Sequence, residues 1–194
     1  MKSRLTIFLL GMAISVAGGL LGAQQGESDQ PRYTSSGRML RPDNYREWIF
    51  LSSGAGMAYS PRAAGANEDG PAFDNVFVNP SAYRSFVKTG EWPDKTVLVL
   101  EVRASKSNGS INRSGHFQTS LIGVEVHVKD EKRFPGKWAF FGFEESGDPA
   151  PMIPTSAACY SCHQQHGVTD TTFVQFYPTL FDIAKRKGTI KQEH

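Results

Sequence analysis

Cys159-Tyr160-Ser161-Cys162-His163 holds the only two cysteines of a 194-residue chain, three apart, with a histidine directly after the second. On a helix, positions i, i+3 and i+4 share one side. Both thiols and the imidazole would then meet the edge of a single flat group. This is the spacing with which haem is attached, by two thioethers to its vinyl groups and a histidine directed at the iron. Such a motif constrains the fold, because the rest of the chain must enclose a bulky planar cofactor. Two other readings compete. A zinc site on Cys159, Cys162, His163 and His166 would be cramped, with every ligand inside eight residues and two of them adjacent. A redox disulfide belongs in a thioredoxin-like βαβ pattern, which does not surround these residues. One covalent haem c, with His163 as the metal ligand, is the favoured reading. His166, just before Gly167, reads as an exposed residue at a helix end.

The other end of the chain bears on where such attachment happens. Met1 to Ala23 carries Lys2 and Arg4, then a run from Leu5 to Leu21 broken only by small residues, and it stops at a small residue. This is the layout of a secretory signal peptide. Leu21 is larger than usual for its place before the cleavage site, which leaves an uncleaved N-terminal anchor as the alternative. All 19 acids and all but Lys2 and Arg4 of the 21 Lys and Arg lie beyond Ala23, so the formal charge of +2 falls to zero once residues 1–23 are removed. A neutral chain whose longest basic run is Lys185-Arg186-Lys187 lacks the electrostatic footprint of a nucleic-acid binder. No later apolar stretch approaches the roughly 20 residues of a membrane helix. The expectation is one exported domain, periplasmic or otherwise secreted and soluble after signal removal, large enough to build a core without disulfides.

Residues 24–38 have no apolar period and are rich in Gln, Ser and Gly, so they read as a flexible leader. The haem domain is expected over residues 39–187, with a tail at 188–194. Strands are expected at Trp48 to Leu51 and Phe73 to Val78, with a Gly- and Pro-rich loop from Ser52 to Ala72 between them. Asn79 as N-cap, Pro80 at the first helical position and Gly90 past the end bracket a helix with Tyr83, Phe86 and Val87 on one face. Thr96 to Ala104 is a strand on its Val and Leu content. After a polar hairpin loop comes a long strand, His116 to Lys129, bent or bulged near Gly123. Pro135-Gly136 turns the chain into a fifth strand, Trp138 to Phe143. Thr155 to His166 and Pro178 to Lys187 read as helices, the latter with Leu180, Phe181 and Ala184 on one stripe. The fold class is α+β: an antiparallel sheet of about five strands in series with a few helices, and a C-terminal helix carrying the cysteine motif.

What fills the sixth position of the iron decides function. Electron carriers close it with His or Met, whereas gas binders and oxidases leave it open. Met39, Met57, Met152, His116 and His127 are the candidates, and none has neighbours that mark it as a ligand. Parity in the long strand puts Ile122, Val124, Val126 and Val128 on one face, and Leu121, Gly123, Glu125, His127 and Lys129 on the other. The second face reads either as solvated or as a pocket wall. In the pocket reading Gly123 lets a flat ring approach, and Glu125 is an acid whose pKa rises in apolar surroundings, suited to accept a proton.

From about Tyr45 to Leu180 the chain resembles the cytochrome P-460 family, which includes the cytochromes c′-beta. The resemblance rests on the order of several pieces: Asn44-Tyr45-Arg46-Glu47-Trp48, Val76-Phe77-Val78-Asn79-Pro80, the helix ending Lys88-Thr89-Gly90-Glu91, Ile122-Gly123-Val124-Glu125, Trp138-Ala139-Phe140, and the cysteine motif followed by Phe173 and Phe176-Tyr177-Pro178. It implies a mostly antiparallel sheet with helices, one c-type haem with an open distal side, and a homodimer. In P-460 proper a strand lysine is bonded to the haem ring and the enzyme oxidises hydroxylamine; that position falls on Leu100 here, and Lys95 and Lys106 are out of register with it. Asp74 falls about where P-460 carries a distal arginine, while Glu125 matches the family's pocket glutamate. The resemblance thus implies a cytochrome c′-beta-like protein holding nitric oxide or a related small nitrogen species in a cavity bordered by Leu100, Glu125 and some of Phe73, Phe77 and Phe117. The runner-up is a haem oxidoreductase acting on hydroxylamine or nitric oxide, with Glu125 as proton acceptor. The third is a six-coordinate electron carrier serving a small redox protein.

Overall fold

The computed structural model describes residues 29–58, 70–144 and 146–191; the expected signal peptide lies outside them. Five strands, β1 (Ile49–Ala55), β2 (Phe73–Val78), β3 (Val97–Lys106), β4 (Phe117–Lys129) and β5 (Trp138–Phe143), pair antiparallel in chain order. Three α-helices accompany them among the described residues: α1 (Pro80–Thr89), α2 (Ala158–His166) and α3 (Pro178–Lys187). The α+β class and the meander are those expected, although the cysteine motif sits on α2 and a further helix follows it.

Because side chains alternate along a strand, the register settles which residues share a face. Val76, Leu100, Glu125 and Gly142 lie in one row across the sheet, and Val78, Leu98, His127 and Phe140 in the next. The opposite face carries Val97, Val99, Val124, Val126, Val128, Ala139, Phe141 and Phe143. It packs on Met39, Tyr45, Trp48 and Phe134. The register slips between Val102 and Arg103, at the expected bend near Gly123. That bulge removes Ile122 from its expected valine face and leaves it 51% exposed.

On the first face, Val78, Leu98 and Trp138 meet α1 through Ala82 and Phe86, and α3 through Leu180 and Ala184. Phe86 and Trp92 pack with tilted rings, their centroids 4.2 Å apart, and are fully buried, each worth about 1.5–3 kcal/mol of apolar transfer. Val87, placed on the same stripe by periodicity, is exposed instead. Gly90 closes α1 in the left-handed conformation, φ 79°. Asn79 does not cap the helix with its side chain. Its Oδ1 accepts the Val97 N–H at 2.8 Å, tying the helix start to β3, while the Asp29 carboxylate takes the Ser81 N–H at 2.7 Å, an anion at a helix N-terminus.

The expected leader is therefore anchored from Asp29 onward. Tyr33 bridges to Met39, and Arg38 donates to the Pro149 carbonyl at 2.8 Å. Residues 188–191 of the expected tail are anchored as well, since Ile190 packs on the helical core and the Lys191 N–H donates to the Val168 carbonyl. Polarity made both ends look free, but single polar contacts fix them. In contrast to α1 and α3, α2 has no fully buried residue. It is held by Tyr160, whose hydroxyl donates to the Ile153 carbonyl at 3.0 Å and accepts the Phe140 N–H at 3.3 Å.

Candidate functional site

Cys159, Cys162 and His163 project from α2 into one cavity of about 520 Å³, within the common range of ligand pockets. Its floor is the first face of the sheet: Val76, Leu98, Leu100 and Val102 with Glu125, His127 and Phe140. Phe173, Phe176 and Tyr177, from the segment leading into α3, form another wall.

The His163 ring is fixed on several sides. Its Nδ1 lies 2.7 Å from the Thr171 carbonyl oxygen. A carbonyl only accepts, so Nδ1 carries the proton and Nε2 keeps its lone pair, the tautomer a metal ligand needs. Phe173 and Phe140 pack on the ring at 4.3 and 4.7 Å between centroids. Burial draws its pKa below the usual histidine range, with the Thr171 bond acting in the other direction.

The loop that supplies this carbonyl is itself braced. The Thr171 hydroxyl is 3.2 Å from His127 Nε2, Trp92 donates to the Thr172 hydroxyl at 2.8 Å, and Lys129 reaches the Asp170 carboxylate at 3.1 Å. Gly167 permits the approach: a Cβ there would stand 2.6–2.7 Å from the His163 carbonyl and the Thr171–Thr172 backbone. Gly167 itself is extended, φ −71°, and does not form a left-handed cap. His127 stacks on Phe140 at 4.0 Å, nearly parallel, and touches the edge of His163 at 4.9 Å. Burial, and secondarily His163, hold it well below the usual histidine range. With its Nε2 engaged and its ring against His163, it supports the ligand and is no counterpart across an iron.

Among the other sixth-ligand candidates, Met39 is buried in the core on the opposite sheet face, Met152 is exposed, and His116 does not border the cavity. Met57 does border it, with its sulfur seated against Gly54, where a Cβ would stand 2.2 Å away.

Leu100 and Glu125, both expected in the pocket, line it together, one strand apart in the same row. Burial raises the Glu125 carboxyl above its ordinary pKa, and the charge of Asp74 adds to this. Asp74 also lines the cavity, its pKa raised by burial. Phe73 and Phe77 do not belong to the cavity. Strand alternation, read from Asp74 and Val76, turns both to the opposite face, where Phe77 packs against Tyr45 and Phe50. Phe117 stands at the far end of β4, 40% exposed, its ring over Gly109. Gly123 does not border the cavity either. The aromatic walls come instead from Phe140, Phe173, Phe176 and Tyr177. Phe140 shared the parity that flagged Glu125, whereas Thr171 acts mainly through a backbone carbonyl, for which a sequence holds no sign.

The donor set fits a haem. Two thiols not joined to each other and one imidazole lone pair face the same apolar cavity, and no group of three or more His, Cys, Asp or Glu among the described residues is arranged to hold a bare metal ion. No lysine is among the described lining residues. Lys95 is paired with Asp130 instead, and Lys106 lies at the end of β3.

A single sheet with one face opened into such a cavity defines a haem cytochrome of α+β type. The cytochrome P460 family model matches residues 42–174, most of the chain, and the protein belongs to that family of haem cytochromes. No curated protein matches the chain. Among the described residues no helix is long and apolar enough to cross a membrane.

Proposed function

We propose that the chain is an exported monohaem c-type cytochrome of the c′-beta kind, which binds nitric oxide or a related small nitrogen species at an open iron site. The carrying observation is that Cys159, Cys162 and the lone-pair nitrogen of His163 converge on one cavity while the described side chains opposite offer no histidine or lysine. Cys159 and Cys162 would anchor the group by thioethers, and His163 would hold its iron. Bound there, the haem supplies a metal that takes up a diatomic ligand or exchanges electrons. The chain's own residues orient the histidine through Thr171, exclude bulk water with Leu100, Val76 and the Phe173–Tyr177 segment, and place two carboxyls near the ligand space. Export accounts for the N-terminal segment and for the compartment of attachment.

Leu100 in the lysine position supports a ring without a cross-link. The haem-loaded protein should show a five-coordinate high-spin spectrum and an ordinary ferrous band. A low-spin six-coordinate spectrum in both redox states would rule out the open site, and a ferrous band far to the red would reveal a lysine bond. Glu125 favours a second reading, a haem oxidoreductase in which this raised carboxyl accepts a proton from hydroxylamine or a related substrate. Turnover of hydroxylamine that vanishes in Glu125→Ala would establish it.

A further inference from the structure

The charges of the cavity sharpen which ligands it takes. Among the described lining residues only Asp74 and Glu125 bear carboxyl side chains, and no lysine or arginine joins them. The two acids come from the strands on either side of β3: Asp74 pairs with Val102, and Glu125 with Leu100. Between them β3 presents Leu98, Leu100 and Val102, which donate no hydrogen bond. Neither carboxylate has an ion pair or side-chain hydrogen bond among the described residues. The buried acids Glu101 and Asp130 do: Glu101 is held by Arg46 and Arg103, and Asp130 by Lys95.

A carboxylate kept for stability is paired, because an unpaired one in a low-dielectric site costs free energy. Here Asp74, half-buried, and Glu125, exposed toward the cavity, face the ligand space without such a partner among the described residues, and their field acts on whatever enters. We infer that Asp74 and Glu125 form a charge filter, so that the site admits uncharged or cationic small nitrogen species, nitric oxide and hydroxylamine among them, and rejects small anions such as nitrite and azide. This rests on the open haem site proposed above and narrows its ligand class. Within several ångströms and at an effective dielectric near 20, each carboxylate weakens an anion's binding on the order of tenfold, while an uncharged diatomic gas is insensitive to that field.

The test titrates the haem-loaded protein with azide in the ferric state and with carbon monoxide, an uncharged probe, in the ferrous state. The measured quantity is the ratio of the two association constants. Asp74→Asn and Glu125→Gln, which keep shape and remove charge, should each raise the ratio on the order of tenfold, and the double variant should raise it further. Glu125→Asp, which keeps the charge, should leave it near the wild-type value. A ratio unmoved in the double variant, with carbon monoxide still binding, overturns the charge filter alone. Carbon monoxide that fails to bind the ferrous wild type overturns the open-site reading, and the filter with it.

Discussion

Glu101 and Glu125 sit on neighbouring strands, one position out of step, and face opposite ways: Glu101 pairs with Val124, and Leu100 with Glu125. On the packed face Glu101 is 4% exposed and receives Arg103 at 2.6 Å, Arg46 at 2.7 Å and the Tyr45 hydroxyl. Burial alone would raise its carboxyl, but the hydrogen bonds from Arg103, Tyr45 and Arg46 and the Arg103 charge hold it down at about 2. Tyr45, buried and donating to that carboxylate, is pushed up to about 12. On the cavity face Glu125 meets no cation among the described residues, and desolvation together with the Asp74 charge drives it the other way. The same side chain on the same sheet thus has opposite proton affinity according to whether its charge is satisfied. For these two glutamates, satisfied charge goes with the packed face and unsatisfied charge with the cavity face.

Substitutions can break this contrast, the largest effect coming from the packed side. Glu101→Gln removes the buried charge that half-buried Arg103 and exposed Arg46 share and should cost about 2–3 kcal/mol, read as a fall in the denaturant midpoint of the haem-loaded protein, with little change in its spectrum. The pH profile comes next. A carboxyl near 2 when folded and near 4.5 when unfolded contributes about 3 kcal/mol that is fully present above pH 4.5 and disappears as pH falls toward 2. Acid unfolding of the wild type should therefore steepen in that window, and Glu101→Gln should flatten it.

Thr171→Val keeps the carbonyl on His163 but strands His127 Nε2, a loss of about 1–3 kcal/mol. As the loop loosens, the hydrogen bond that makes His163 electron-rich weakens, so the reduction potential of the iron should rise. Thr171→Ser should restore it, and an unchanged potential in Thr171→Val would show that the hydroxyl only fills space. The smallest effect is expected for Glu125→Gln. The raised carboxyl costs stability when ionised, and that cost is relieved as pH falls, so its removal should be neutral to slightly stabilising at pH 7, within about 1 kcal/mol. A loss as large as that of Glu101→Gln would erase the distinction between the two faces.

How much of this could be read in the residues follows the same division. Strand order, the α1 brackets, the bend near Gly123 and the single-helix grouping of Cys159, Cys162 and His163 rest on local periodicity and spacing, and the fold shows them all. The family resemblance places Leu100, and parity places Glu125. Phe73 and Phe77 were misplaced for want of the same rule: in a strand containing Asp74 and Val76, only one alternate set can face the cavity. Val87 and the two chain ends depended on tertiary partners, α3 and Asp29 among them, that no local window contains. The arginines around the buried Glu101 converge from β3 and from a short 3-10 turn far away in sequence, a grouping that only the folded sheet creates.

A helix that buries none of its own side chains has little reason to dock before something is placed beneath it. α2, held through Tyr160 and the His163 ring and otherwise edged on the cavity, is such an element. The consequence concerns the order of assembly. Sheet, α1 and α3 complete their two cores without it. Under the covalent attachment proposed above, the haem would be the last piece of the interior, and its attachment and the closure of the fold would be one event.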